Sequence, residues 1–278
     1  MKGERYRNKA ILIAVAVLVL YLAFTLSPIL WTLGTSFKNT DEVYRVPPLW
    51  LPKPSLKYYV MVFTTRPFLE YTLNSLAVAL GVTAVCVTIG ALAAHGFGKY
   101  QSPLIRSFFN LIIGSRMIPP VCMITPFAII FSATQLTDTR LGLIIACTSF
   151  NLPFAIWIMK NYFESVPREL EDSARIDGCD NIGTFWHVSL PIARPGIVTA
   201  GIIAFLFTWN EFVFAALLTR TTASKTLPIG ITDFFMDDYI QWNLLAAATI
   251  FLIIPAIIFV SFFQRQIMKG MIAGSLKG

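Results

Sequence analysis

The chain has 278 residues, of which 56% are hydrophobic and only 13% charged, and its mean hydropathy is +0.67. Soluble domains carry about 25% charged residues, so there is too little charge here to cover a folded surface in water, and a soluble globular enzyme is all but excluded. Lysine and arginine outnumber the acids 22 to 15; in so apolar a chain this marks the cytoplasmic flanks of membrane helices, and no basic block with interleaved aromatics points to nucleic acid.

A helical span needs roughly 20 mostly apolar residues, and six stretches qualify: 10–33, 72–95, 104–132, 141–159, 196–218 and 244–263. The first follows Lys2, Arg5, Arg7 and Lys9 but is longer than the roughly 7–15 residues of a signal-peptide core, so it reads as a retained helix. The second carries Gly90, Ala94 and Gly98 at four-residue spacing, a stripe that lets a neighbouring helix approach. The third holds Arg116, Pro119, Pro120 and Pro126; the fourth, Asn151 and Pro153; the fifth, Trp209, Asn210 and Glu211. Basic residues cluster in the N-terminal tail, in the turn with Lys99 and Arg106, and in the tail with Arg265, Lys269 and Lys277, so both termini are expected in the cytoplasm. Trp31, Trp50 and Trp242 then fall near the outer interface, and Trp157 and Trp186 near the inner one.

The cytoplasmic connection from 160 to 195 breaks the charge pattern, with four bases against six acids. Pro167 suits a first helical position, Glu169, Glu171 and Asp172 suit the opening turns, and Gly178 suits a stop. Asp180 can cap a second short helix that places Ile182, Phe185, Trp186 and Ser189 on one face. The expectation is a projecting elbow of two short helices meeting at Gly178. The alternative, an amphipathic pair lying on lipid, is opposed by its acidity, because inner-leaflet lipid is itself negative.

The run Glu171-Asp172-Ser173-Ala174-Arg175-Ile176-Asp177-Gly178, followed by Phe185 and by Leu190-Pro191-Ile192-Ala193-Arg194-Pro195-Gly196, resembles the cytoplasmic EAA loop of inner-membrane permease subunits of binding-protein-dependent ABC importers. Asp172-Ser173-Ala174 stands where that motif has Glu-Ala-Ala, keeping charge and small size. Arg116-Met117-Ile118-Pro119-Pro120, Asp138-Thr139-Arg140-Leu141-Gly142, Asn151-Leu152-Pro153-Phe154, Trp209-Asn210-Glu211-Phe212, Lys225-Thr226-Leu227-Pro228 and the ending Ala273-Gly274-Ser275-Leu276-Lys277-Gly278 narrow the resemblance to carbohydrate-type permeases similar to the maltose permease subunit. The resemblance implies an all-α, six-span membrane protein of the type I importer fold, a single permease domain over 1–278 with the coupling loop at 160–195, in the cytoplasmic membrane of a prokaryote. It also implies a second, unlike permease subunit, two ATPase subunits that bind ATP and Mg, and an extracytoplasmic solute-binding protein. The chain itself has no phosphate-loop motif: Gly96-Phe97-Gly98-Lys99-Tyr100 lacks the spacing and the Ser/Thr, so no cofactor is expected on it. Glu171, Asp172, Ser173, Ala174, Asp177, Gly178, Asp180 and Phe185 are the implied ATPase-coupling residues, and the tail from Ser275 to Gly278 is a further candidate for that interface.

A transport path shows as polar groups at mid-depth. Arg116, Asn151, Trp209, Asn210 and Glu211 are candidates for a substrate path or gate, because an ionisable residue in a span needs a partner or water. The structural readings of the same residues are helix-to-helix hydrogen bonds for the amides, mutual bracing for Arg116 and Glu211, and packing for Trp209. Cys86, Cys122, Cys147 and Cys179 form no CxxC pair, and His95 and His187 have no second ligand at metal spacing, so neither disulfide nor metal is expected. The loops 34–71 and 220–243 are the expected surfaces for a binding protein, with Asp233, Asp237 and Asp238 as an acidic contact. The function expected is import of a sugar or related polyol. The alternatives are a permease for glycerol phosphate or amino acids, or a membrane-embedded enzyme or channel.

Overall fold

The computed structural model describes residues 2–47, 54–100, 102–235 and 240–275, with side chains described from 9 to 264 within these ranges. Trp50, Asp237, Asp238 and the last three residues of the tail therefore lie outside the described residues. Every regular element among the described residues is helical. Helix α1 (Lys2–Ser36) is followed by the short α2 (Thr40–Val43) and α3 (Lys57–Thr65), the long α4 (Phe68–Lys99), and α5 (Pro103–Ser115) and α6 (Pro120–Ala133). Then come α7 (Arg140–Glu164), α8 (Arg168–Ile176), α9 (Asn181–Thr184), a π-helical turn (Phe185–Ser189) and α10 (Leu190–Trp209). The chain continues through α11 (Val213–Leu218), α12 (Leu227–Thr232), a 3-10 turn (Asp233–Phe235) and α13 (Trp242–Ser275).

Among the described residues, five helical segments are long and apolar enough to cross a membrane, and α5 with α6 makes a sixth if that pair is one span, bent by 95°. The stretch 104–132, expected as a continuous span, is thus two helices. Ile118 and Pro119 each precede a proline, which disfavours helical backbone, and Pro120 then opens α6, where its missing N–H costs nothing. The fifth span also differs from its expected bounds of 196–218: helix runs without interruption from Asn181 to Trp209, and α11 is separate. Pro191 follows a π turn at the first turn of α10, and Pro195 lies inside the helix. The Leu190 N–H reaches back five residues to the Phe185 carbonyl, a wider turn that shifts the hydrogen-bond register just before the prolines.

The chain divides into two compact units, Met1–Arg66 with Ile231–Ile254, and Pro67–Gly230 with Pro255–Gly278. In the first, residues 9–31 of α1 are all exposed, as expected of a helix apolar all round whose covering is lipid or another chain. Polar pins order its short segments: the Ser36 and Tyr59 hydroxyls are 2.6 Å apart, Asn243 donates to the Lys38 carbonyl at 3.2 Å and Tyr44 to that of Ile240 at 2.8 Å. The second unit is built on α4, α7 and α10, whose contact surface is rich in Ala, Cys and Val: Val82, Cys86 and Ala94 meet Ala146, Cys147 and Met159 around Ala193 and Ala200. The small-residue stripe read from the sequence faces α7. A Cβ on Gly90 would sit 2.6 Å from the Met159 methyl, and one on Gly98 would sit 3.3 Å from the Phe163 Cβ.

Candidate functional site

The elbow forms where the local signals put it. Helix α8 starts one residue after Pro167, and it ends in a complete Schellman cap: the Gly178 N–H donates to the Arg175 carbonyl at 3.1 Å and the Cys179 N–H to the Ala174 carbonyl at 2.9 Å. That cap requires a left-handed residue, and Gly178 has φ +94°. Asp180 caps α9 by accepting the Gly183 N–H at 2.6 Å. The chain therefore turns sharply between two capped helices. Asp172, Ser173, Asp177, Gly178 and Asp180 are exposed and Ala174 is half-buried. Arg175 pairs with Asp172 at 3.2 Å, an exposed contact worth little. The second helix is not the free short helix expected, because it continues through the π turn into α10. Nor do its four residues share a face: Ile182 and Trp186 are exposed, whereas Phe185 and Ser189 are buried.

Glu171 and Phe185, expected among the coupling contacts, point inward. Glu171 is 8% exposed; its Oε1 accepts from the Ser189 hydroxyl at 2.6 Å and its Oε2 lies 3.2 Å from Lys99 Nζ. His95 Nε2 is 3.5 Å from Oε1, at ion-pair rather than hydrogen-bond distance, with its ring against Phe163 and Phe185. Burial pushes the Glu171 carboxyl up, but the hydrogen bonds from Ser189 and Lys99 and the charges of Lys99 and His95 outweigh it and hold the pKa below the ordinary value. A carboxylate with a lowered pKa stabilises fully above the unfolded value, about 4.3 for Glu, and the benefit is lost as pH falls through the lowered folded value. Hydrogen exchange over residues 168–176 is therefore expected to stay slow from pH 7 to about 5 and to accelerate below, after correction for intrinsic rates; an acceleration between pH 7 and 6 would contradict this. His95, Lys99 and Ser189 were not singled out as functional from the sequence, since they lie 76, 72 and 18 residues from Glu171 and such spacings carry no local signal.

At mid-span, Arg116, Asn151, Asn210 and Glu211 line one cavity of about 660 Å³ together with Phe150 and Phe207. Trp209 does not join them: it is fully buried and stacked on Phe205, a packing residue. Arg116, the C-cap of α5, sits over the rings of Phe150, Phe154 and Phe207 at 4.7, 4.9 and 6.0 Å, an arrangement in which the ring faces attract the cation. Its Nη1 is buried without a hydrogen-bond partner among the described residues. Glu211 instead accepts the N–H groups of Phe214 at 2.7 Å and Ala215 at 3.0 Å, capping α11. Among the described residues the two charges form no ion pair with each other. Asn151, 6% exposed, donates to the Cys147 carbonyl at 2.9 Å and to the Thr208 hydroxyl at 3.4 Å, and Asn210 donates to the Leu206 carbonyl at 2.8 Å. The aromatic cage around Arg116 is legible afterwards in Phe150 and Phe154, four residues apart on one face of α7.

At the end of α4 remote from the elbow, the loop 219–227 is fastened rather than free. Asp138, at φ +60°, accepts from the backbone of Arg220 at 2.7 Å and of Thr221 at 3.0 Å, and from the Ser224 hydroxyl. Asn74 donates to the Thr222 and Lys225 carbonyls, and Ser75 accepts the Leu227 N–H. Burial raises the Asp138 pKa, but its hydrogen bonds to Ser224, Thr221 and Arg220 prevail and hold it far below the usual carboxylate range. Replacing Asp138 by alanine is expected to cost about 2–4 kcal/mol, since hydrogen bonds to charged groups are worth about 1.5–3 each, and to speed hydrogen exchange at 219–225. Asparagine, which tolerates positive φ, should retain most of the protection. Asp233, expected as an acidic docking group, is half-buried, and its carbonyl accepts from Arg66 at 3.1 Å.

The family described as binding-protein-dependent transport system inner membrane component matches residues 86–273. The sulfoquinovosyl glycerol transport system permease protein SmoH of Agrobacterium fabrum is 35% identical over 91% of this chain and 89% of its own length. The trehalose transport system permease protein SugB of Mycobacterium tuberculosis is 33% identical over 93% and 95%. The trehalose/maltose transport system permease protein MalG of Thermococcus litoralis is 30% identical over 99% of each. A chain of a bacterial ABC transporter involved in import of the acidic polysaccharide alginate has the same fold, with a TM-score of 0.79 at 23% identity over 93% of this chain and 96% of that one.

Proposed function

We propose that this chain, which belongs to the family of binding-protein-dependent transport system inner membrane components, is the permease subunit through which an ABC importer moves a sugar or related polyol. It is a multi-pass membrane protein. The observation that carries the sugar reading is the kinship along nearly the whole chain with permeases named for a glycosyl glycerol and for disaccharides. The cavity supports it chemically. The amide oxygens of Asn151 and Asn210 accept no hydrogen bond among the described residues, and together with the rings of Phe150 and Phe207 they suit a hydroxylated, partly apolar ring.

In this reading both termini and the elbow face the cytoplasm. ATP and Mg bind two partner ATPase subunits, a second permease subunit completes the pathway, and a binding protein delivers solute at the other side. The exposed face of α8, with Asp172, Ser173, Asp177 and the Gly178 turn, seats in the ATPase, and closure of the ATPase pair is felt by α7 and α10, between which the elbow is covalently strung. ATP and the loaded binding protein shift the permease outward only if each binds that state better than the inward one. The test is to purify the transporter with its copurifying subunits and measure binding-protein-stimulated ATP hydrolysis over sugars, polyols, glycerol phosphates and amino acids. Stimulation by sugars or polyols is expected; stimulation by an amino acid alone would sink the sugar assignment.

A further inference from the structure

We infer that Glu171 is a positioning residue that fastens the elbow to a third span, so that α4 moves with α7 and α10 as one body; this rests on the reading of the elbow as the ATPase coupling element. Covalently, the elbow is joined only to α7 and α10. Glu171 adds a tie that the chain path does not supply: one carboxylate oxygen takes the Ser189 hydroxyl at the root of α10, and the other meets Lys99 in the last turn of α4, with His95 one turn earlier beside them.

The tie is buried at Glu171 and Ser189 and half-buried at Lys99 and His95, and that makes it stiff. Glu171 is 8% exposed and Ser189 fully buried, and Phe163 and Phe185 close the sides of the His95 ring. Charge-assisted hydrogen bonds are roughly twice as strong as neutral ones, and breaking a buried pair leaves an uncompensated charge. The adjacent acid Asp172 is exposed, so the two neighbours divide the work: Asp172 faces outward to a partner and Glu171 faces inward to α4. Gly98 reinforces the arrangement by letting α4 and α7 approach at the same level.

The test uses the whole transporter with its ATPase subunits, in lipid nanodiscs, with Cys122 and Cys179 replaced by serine and spin labels at Ile89→Cys on α4 and Arg168→Cys on α8. Distances are measured without nucleotide and with ATP and vanadate. The expected result is one narrow distance, unchanged between the two conditions. Lys99→Met or Glu171→Gln should broaden it about twofold or make it nucleotide-dependent, as loss of one member loosens a buried network, while the ATPase still copurifies. The exchanged pair Lys99→Glu with Glu171→Lys should narrow it again. A distance in the transporter with the tie intact that changes with nucleotide, or a distribution unaltered by Lys99→Met and Glu171→Gln alike, would overturn the inference. Failure of the underlying reading looks different: the ATPase would copurify unchanged with variants of the exposed face such as Asp172→Arg with Asp177→Arg.

Discussion

Replacing Gly178 by valine is expected to abolish copurification of the ATPase subunits while leaving insertion of the spans intact. The reason lies in the backbone. At φ +94° a residue with a Cβ is strained by roughly 1–2 kcal/mol, and a β-branched one by more. Nothing lies within 4 Å of where that Cβ would be, so no clash with this chain is involved. The strain is relieved by abandoning the Schellman cap, which frees the Arg175 and Ala174 carbonyls and changes the angle at which α8 leaves α9. Asparagine, which tolerates the left-handed region, should keep the angle and most of the association. Gly178→Arg separates the two possible causes, since it adds a bulky charge to the exposed tip as well as backbone strain. Pull-down of the ATPase with each variant, alongside a membrane-insertion assay, gives the ranking expected: glycine, asparagine, then valine and arginine. Equal association in all four would refute the elbow as the coupling element.

The second large effect is expected at Glu211. Among the described residues its carboxylate is the only side-chain cap on the six-residue α11, whose N-cap residue Phe212 offers no side-chain hydrogen bond. Glu211→Ala leaves the N–H groups of Phe214 and Ala215 unpaired, at about 1–3 kcal/mol for each buried donor. Phe214 and Leu218, 2% and 1% exposed, then lose the helix that seats them, Phe214 against Phe127 and Phe150. The expected outcome is a loss of about 2–4 kcal/mol in stability together with loss of uptake, whereas Glu211→Gln keeps an acceptor and most of both. A solute-contacting carboxylate would behave in the opposite way, with both variants thermally stable and both inactive. Thermal unfolding and uptake measured on the same two variants distinguish the cases.

Much of the molecule follows from local chemistry. Four of the six apolar stretches, the Gly90-Ala94-Gly98 stripe, the turn at Gly178 and the Asp180 cap depend on residues within a few positions of one another, and each lies where helix periodicity and capping rules put it. The limits of that reasoning are equally specific. The stretch 104–132, which holds Pro119-Pro120, is expected as one span, but the two successive prolines separate α5 from α6 at 95°. Leu190-Pro191 and Pro195 read as a loop end, yet the helix runs through them after the π turn.

Composition and order alone determined that this is a membrane protein, roughly where it spans, and that an acidic capped elbow interrupts the chain between residues 160 and 195. Tertiary structure decided which of two adjacent acids is buried. Glu171 and Asp172 are alike in sequence terms, and only the packing of α8 against the ends of α4 and α10 turns one toward Lys99, His95 and Ser189 and leaves the other in solvent. It decided likewise that Arg116 is held by aromatic faces and Glu211 by backbone amides rather than by each other. The physical reason is the same in both cases: a charge in an apolar setting takes the nearest compensating groups in space, and their identity depends on how helices dozens of residues apart come to lie side by side.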